Sequence, residues 1–228
     1  MLNLTLKKIK SLRRPLSLGL MLSLVTLIFS CGKPLYPYQP ELNLEKSSLT
    51  IHKTVHIKEF KDNRIKARKR QNIYSLTDAP SFNKDLSTEV TNALKNDFSN
   101  NLVFKSVTKQ LDSADYVLVG EITNFNSTIR PTTGAYISMY SIVGIFFMPF
   151  TGINFNKMEA NIELTMKMYS KDGLLVGTYN GNSSILERAS IYESKKMQNF
   201  HKQTNANFSK AVLQIREQIL KDASKFDK

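Results

Sequence analysis

Alternating apolar and polar residues predict the strands of one sheet. Four apolar residues at odd positions indicate a first strand: Leu49, Ile51, Val55 and Ile57. A short strand is predicted over residues 102–107. The strongest strand is predicted over residues 114–125, ADYVLVGEITNF. Its continuously apolar part, residues 116–119, is typical of a strand that is covered on both faces or that lies at the centre of a sheet.

A hairpin is predicted later in the chain. Residues 158–169 alternate cleanly between apolar and polar side chains, and residues 174–180 form a second predicted strand. Between them lies Lys171-Asp172-Gly173, in which the glycine supplies the positive φ of a tight turn. The two strands are therefore expected to pair antiparallel.

Apolar residues three and four apart predict two helices. The first carries one apolar stripe: Phe82, Leu86, Val90, Ala93, Leu94 and Phe98. Asn83 or Asp85 is suited to cap its start, and Asn100-Asn101 is suited to a left-handed stop. The second helix is predicted from about residue 206 to residue 223. Its stripe comprises Phe208, Ala211, Val212, Ile215 and Ile219, followed by Phe226. Strands and helices together predict an α+β fold, a two-layer sandwich in which one sheet of about four or five strands packs against two helices.

The N-terminal 31 residues have the pattern of an export signal. Five cations and no acid precede residue 15, an uncharged apolar run covers residues 16–29, and Ser30-Cys31-Gly32 follows. Ile28-Phe29-Ser30-Cys31 resembles a bacterial lipobox. We therefore expect residues 1–30 to be a lipoprotein signal peptide and Cys31 to be the lipid-bearing N-terminus of the mature chain.

Two alternatives compete with this interpretation. A single-pass anchor needs about 20 apolar residues, and this run is shorter. A plain secretory signal would leave Cys31, the only cysteine, as an unpaired thiol in an oxidising compartment. Lipidation removes that liability. Residues 31–48, which hold Pro34, Pro37 and Pro40, are expected to form an extended tether, and residues 49–228 a single domain.

The mature chain is basic. Removing the five cations of the signal from the 32 in the whole chain leaves 27 against 19 acids, a net charge of +8. Such an excess favours anionic surfaces, for example lipid headgroups or the phosphates of lipopolysaccharide. Nucleic acid is not an expected partner of an exported protein.

A basic loop is predicted over residues 58–70. Its cations are the candidate anion-binding residues: Lys58, Lys61, Arg64, Lys66, Arg68, Lys69 and Arg70. The alternative is a loop that only increases solubility. His52 and His56 share one face of the first strand, and without a third ligand cluster no metal site is predicted.

An uncharged segment, residues 135–155, interrupts the pattern of strands. Gly144, Pro149 and Gly152 make an unbroken membrane helix improbable. The segment is open to three interpretations: a buried crossing that completes the core, an apolar hairpin that touches lipid or a partner protein, or a membrane-inserting element of an oligomer. The candidate apolar interaction residues are Ile145, Phe146, Phe147, Met148 and Phe150.

Motifs of catalysis are missing from the sequence. We find no nucleophile elbow, P-loop or zinc-protease motif. Asp112, Asp115 and Glu121 would form a carboxylate pair only if the fold brought two of them together. The sequence therefore predicts a non-enzymatic protein without a cofactor.

The order of elements resembles small envelope lipoproteins of diderm bacteria. The residues that carry the resemblance are the strand A-D-Y-V-L-V-G-E-I-T-N-F, the apolar insertion and the hairpin with Lys171-Asp172-Gly173. The chain is similar to the LptE-like lipopolysaccharide-assembly lipoproteins and to the lipoprotein activators of penicillin-binding proteins. The first family implies the plugging of an outer-membrane barrel, and the second implies contact with a synthase through peptidoglycan.

The leading hypothesis is a lipid-anchored accessory or binding subunit in envelope assembly, with an envelope protein as partner. We expect the outer membrane as its location, on the periplasmic face or at the cell surface. The alternative is a surface-exposed lipoprotein that binds anionic ligands of a host or of the environment through the basic loop.

Overall fold

Six strands form one mixed sheet in the described part of the chain, and two helices pack on one of its faces. The computed structural model describes residues 40–64, 85–135, 154–190, 192–193, 195–196 and 199–226. The signal peptide, Cys31, the loop cations Lys66, Arg68, Lys69 and Arg70, and most of the apolar segment, with all of its candidate interaction residues, lie outside these residues. Their predicted roles stay predictions.

The strands are β1 (Ile51–Ile57), β2 (Lys61–Asp62), β3 (Phe104–Thr108), β4 (Tyr116–Pro131), β5 (Asn154–Ser170) and β6 (Leu175–Ser190). Their order across the sheet is β3-β1-β4-β5-β6, and β2 pairs with β4. β1 runs parallel to β3 and β4, whereas β4, β5 and β6 form an antiparallel meander. The predicted α+β sandwich is confirmed.

The first helix, α1 (Leu86–Asn100), begins after Asp85, whose carboxylate accepts a hydrogen bond from the backbone of Ser87. Of the two proposed caps, Asn83 lies outside the described residues. The predicted left-handed stop at Asn100-Asn101 is wrong by one residue, because Leu102 has the positive φ of 54°. The Asn101 amide instead donates to Asp97 Oδ1 at 2.6 Å. That bond holds Asn101 in the last turn, so the chain reverses at the next residue.

The second helix, α2 (Phe200–Lys221), starts six residues earlier than predicted and precedes a short 3₁₀ helix, Ala223–Lys225. β4 and β6 also extend beyond the predicted strands. In these extensions the core face carries polar residues that bond to each other. Ser127 Oγ lies 2.8 Å from Thr204 Oγ1, and Ser183 donates to Asn207 at 2.9 Å. Hydrophobic periodicity does not reveal such a core.

The core lies between the helices and one face of the sheet. α1 contributes Val90, Leu94 and Phe98 to it, and α2 contributes apolar side chains along its whole length, including Phe208, Val212 and Ile219. Of the two interpretations of residues 116–119, the central position in the sheet is confirmed, because β4 lies between β1 and β5, and burial on both faces is wrong. Leu118 is buried, but Val117 and Val119 are only half-buried, because no described helix covers the other face of the sheet.

A bulge in β4 explains why both Ile122 and Phe125 reach the core. The register with β5 shifts between Ile122 and Asn124, which inserts one residue at Thr123. The Thr123 hydroxyl donates to the Glu163 carbonyl oxygen at 3.1 Å. The alternation of the strand is thereby reset, and odd-numbered positions face the core after the bulge.

The described beginning of the basic loop is part of the sheet. Phe60 is buried, and a Cβ added at Gly120 would overlap its ring, so the absence of a side chain at Gly120 makes room for Phe60. Lys61 and Asp62 then form β2 beside β4. The interpretation of residues 58–70 as a loop is therefore wrong at this end.

The folded part begins before Leu49. Residues 40–47, here called the lead segment, lie along α2: the backbone of Glu41 donates to Asn205 Oδ1, and that of Asn43 donates to Ser209 Oγ. Leu42 and Leu44 pack against the core. The tether expected over residues 31–48 therefore has its last residues on the domain. No helix among the described residues is long and apolar enough to span a bilayer.

Candidate functional site

No helix of the described residues covers the face of the sheet opposite α1 and α2, and we call this face the open face. Residues that lie directly opposite each other on β4, β5 and β6 share this face. Along β5 it carries mostly polar side chains, including Asn161, Glu163, Thr165 and Lys167. On β6 the corresponding positions are exposed: Thr178, Asn180, Asn182 and Ser184. A broad polar surface of this kind is suited to contact another molecule over a large area.

A depression of about 500 Å³ lies at one end of the open face. Val117, Val119 and Tyr169 come from the sheet, and Lys58, Lys171 and Asp112 come from the surrounding loops. Apolar side chains beside two cations and one carboxylate are suited to a ligand that has both an apolar and a charged part. Lys58, one of the predicted anion-binding cations, thus lines the depression.

The other two described cations of the basic loop, Lys61 and Arg64, differ in their surroundings. Arg64 makes a bidentate ion pair with Asp62, with Nε at 2.8 Å from Oδ1 and Nη2 at 2.7 Å from Oδ2, and its Nη1 donates to the Phe125 carbonyl oxygen. Lys61 is exposed on β2. The guanidinium of Arg64 is bonded to Asp62 and to the Phe125 carbonyl oxygen. Arg64 therefore fits a structural role better than the predicted role in anion binding.

The acids that the sequence left open as a carboxylate pair have separate partners. Asp115 accepts from the Thr54 backbone at 2.7 Å. Glu121 accepts from Asn63 at 3.1 Å and lies 3.9 Å from Lys167. Asp112 lines the depression.

The two histidines of β1 have different surroundings. His52 is exposed, and His56 Nδ1 lies 3.1 Å from the Thr108 carbonyl oxygen. Within the described residues no group of three His, Cys, Asp or Glu side chains is placed to hold a metal ion.

Three groups with displaced pKa values lie away from the depression. Burial raises the pKa of Asp97, and its hydrogen bond from Asn101 and the charge of Arg216 act in the opposite direction. Burial and then the charge of Asp222 raise the pKa of Tyr179 to about 12. The hydrogen bond from Lys157 lowers the pKa of Glu159. Asp97 and Tyr179 belong to the helix side, whereas Glu159 lies on the open face.

The outer edge of β6 is closed at its centre. The Gln218 amide pairs with Asn180 as a neighbouring strand would, because its Oε1 accepts from the Asn180 N–H and its Nε2 donates to the Asn180 carbonyl oxygen. Gln214 Oε1 accepts from the Asn182 N–H at 2.9 Å. Side chains that satisfy edge groups prevent another strand from adding there. A partner is therefore better accommodated by the open face than by this part of the edge.

One row of cations was not predicted from the sequence. Arg130 on β4, Lys157 on β5 and Arg188 on β6 are direct partners in the register of the sheet. We call them the cationic row. They are far apart in the chain, and each stands alone among neutral or acidic neighbours. Only the pairing of all three strands would have revealed the row.

No family model matches the sequence, and no curated protein matches it. Among solved structures, the chain is similar to a protein of the DUF330 family from Xanthomonas campestris, with 12% identity and a TM-score of 0.45, over 84% of this chain and 97% of that chain. It is similar to a minor lipoprotein from Acinetobacter baumannii, with 10% identity and a TM-score of 0.36, over 76% and 95% of the two chains. It is also similar to PelC from Paraburkholderia phytofirmans, a dodecamer, with 11% identity and a TM-score of 0.35, over 76% and 93%.

All three TM-scores are below 0.5, so these likenesses carry no conclusion about function. The expected resemblance to the LptE-like lipoproteins or to activators of penicillin-binding proteins is not shown by them.

Proposed function

We propose that the mature protein is a lipid-anchored, non-enzymatic lipoprotein of the bacterial envelope, whose domain serves as an accessory or binding subunit. The lipid on Cys31 fixes its location, and the open face provides the binding surface. We assign it to the outer membrane, with an envelope protein as partner.

The open face is the observation that carries this proposal. Three long, adjacent strands present polar side chains there, and the described helices all pack on the opposite side. The depression at its end combines apolar and charged groups, as binding sites for small molecules do. Binding is the activity that such a surface supports best.

Replacement of Cys31 by alanine should abolish lipidation and release the protein from the membrane fraction. The thiol is the atom that carries the diacylglycerol, and alanine offers no substitute. Incorporation of labelled palmitate and partitioning into detergent measure the effect in cells. Ser30→Ala, which leaves the thiol in place, is the matched control. Unchanged partitioning of the Cys31 variant would contradict the lipid anchor.

The binding role is tested by photo-crosslinking in intact cells. A photoreactive amino acid at Glu163, in the middle of the open face, should capture an envelope protein. The same amino acid at Lys210, on the exposed side of α2, is the control and should not capture it. Capture of the same protein at both positions, or at Lys210 alone, would exclude the open face as the binding surface.

A further inference from the structure

The cationic row has an arrangement that costs stability unless a negative charge offsets it. Arg130, Lys157 and Arg188 lie side by side on three neighbouring strands, which are about 5 Å apart. Like charges directly opposite each other in a sheet repel. Arg130 and Arg188 are exposed, and no ion pair among the described residues involves either of them.

One carboxylate offsets part of this charge. Glu159 lies two residues from Lys157 on the same face, and its Oε2 is 3.1 Å from Lys157 Nζ. Its other oxygen accepts from the Asn161 amide. Glu159 is thereby bonded to the central cation, and the charge of Arg130 also acts on it. One carboxylate thus faces three cations, so the row keeps an excess of positive charge. A guanidinium binds a phosphate through two parallel hydrogen bonds, which makes arginine well suited to phosphate groups.

The lead segment joins the domain at the same end of the sheet. Its first hydrogen bond runs from Glu41 to Asn205. Beside Asn205, Thr204 contacts Ser127 and Asn207 donates to the Ala160 carbonyl oxygen. Ser127 and Ala160 are paired, and each lies three positions from the row on its own strand, a distance of about 10 Å. The depression lies at the other end of β4, about 40 Å from the cationic row.

The number of residues between Cys31 and the domain sets an upper limit on their separation. Nine peptide bonds connect Cys31 to Pro40, and a fully extended chain of that length spans about 30 Å. A lipid on Cys31 therefore keeps the bilayer surface close to the end of the domain that carries the cationic row. The opposite end of the sheet lies about 40 Å from the row, which is more than the length of the extended tether.

We propose that the cationic row binds the headgroup phosphates of anionic phospholipids in the membrane that holds the anchor. This inference rests on the proposed function for the nearness of the bilayer. It adds an orientation: the row faces the membrane, and the depression with the distal part of the open face points away from it.

The test uses the mature full-length chain with Cys31→Ala, so that binding depends on the protein surface alone. Its association with vesicles of phosphatidylglycerol and phosphatidylcholine is measured by co-sedimentation at low and at high salt. In this background Arg130→Gln with Arg188→Gln should weaken binding about tenfold or more at low salt. The control, Lys105→Gln with Lys210→Gln, removes the same charge from exposed lysines outside the row and outside the depression and should change binding by about twofold or less.

Four results would overturn the proposal. The first is an equal loss of binding in both variants, which would mean a response to net charge only. The second is equal binding of the parent chain to vesicles of pure phosphatidylcholine, and the third is no binding by the parent chain at all. The fourth is competition by inorganic phosphate at a concentration that leaves the vesicles intact. Circular dichroism and thermal melting of both variants show that they are folded. Because the assay contains no lipidated cysteine, failure of the lipid anchor and failure of the cationic row are distinguished.

Discussion

Gly181→Ala is expected to lower the free energy of unfolding by about 3 kcal/mol. Gly181 lies on β6 where α2 packs on the sheet. An added Cβ would overlap the carbonyl oxygen of Ala211 and would lie 2.8 Å from its carbonyl carbon. Both atoms belong to the backbone of the helix, so no change of rotamer can relieve the overlap. The helix would have to move away from a sheet against which Val212 and Ile215 are fully buried.

Chemical denaturation followed by circular dichroism measures this effect. Thr178→Ala, at an exposed position of the same strand, is the control and should change stability by about 0.5 kcal/mol or less. Gly177→Ala gives an intermediate case, because the atom in the way is the hydroxyl of Tyr179, which belongs to a side chain. If Gly181→Ala proved as mild as Thr178→Ala, the close approach of α2 to β6 would be wrong.

Much of the fold could be predicted because its signals are local. The apolar stripe of α1 and the alternation of β5 depend on residues a few positions apart. Gly173 has the positive φ, 81°, that was expected for the turn of the predicted hairpin. The extensions of β4, β6 and α2 were missed since Ser127, Ser183, Thr204 and Asn207 replace apolar residues in that part of the core. Hydrogen bonds between distant residues satisfy them, and no periodicity predicts such bonds.

The candidate site was harder to predict, because it depends on register. Lys58 was identified from the charge of its loop. In the structure it lines the depression together with Tyr169, which is far from it in the sequence. Arg64 belongs to the same cluster of charge, yet its partner is Asp62, two residues away. The cationic row has no local signal at all. Charge in a sequence therefore indicates which surfaces a protein favours, and strand pairing decides where the charges meet.

The second large effect is expected at a buried ion pair between the helices. Arg216 of α2 and Asp97 of α1 are nearly inaccessible, and Nη1 lies 3.9 Å from Oδ2. Neither of these two atoms has a hydrogen-bond partner among the described residues. Arg216 Nη2 donates to the carbonyl oxygen of Glu45 at 2.7 Å, so the same side chain also holds the lead segment.

Arg216→Met should lower the free energy of unfolding by about 3 kcal/mol at neutral pH. Methionine fills much of the volume but leaves the carboxylate of Asp97 buried without its counter-charge. The double variant Arg216→Met with Asp97→Asn should recover most of that loss. Asparagine is neutral, and its carbonyl can still accept the hydrogen bond from Asn101. The single variant Asp97→Asn completes a double-mutant cycle.

The pH dependence separates charge from packing. Burial already raises the pKa of Asp97 in the folded protein, and the charge of Arg216 opposes that rise. Without Arg216 the folded-state pKa rises further above the unfolded value. The folded chain then keeps a proton that the unfolded chain has released, so stability falls as pH rises from the unfolded pKa through the folded one. The deficit of Arg216→Met relative to the parent should therefore shrink near pH 4 (about the unfolded pKa). The double variant has no titratable group at position 97, so its deficit should not shrink with acid.

Limited proteolysis gives an independent measurement of the lead segment. Both variants that lack Arg216 lose its bond to Glu45, so both should be cleaved faster within residues 40–47, whatever their charge at Asp97. A deficit in Arg216→Met that stayed constant from neutral to acid pH would show that lost packing causes the destabilisation. A deficit that shrinks with acid, together with rapid cleavage in both variants, would show two functions of one arginine. Its charge stabilises a buried carboxylate, and its Nη2 fixes the lead segment to the domain.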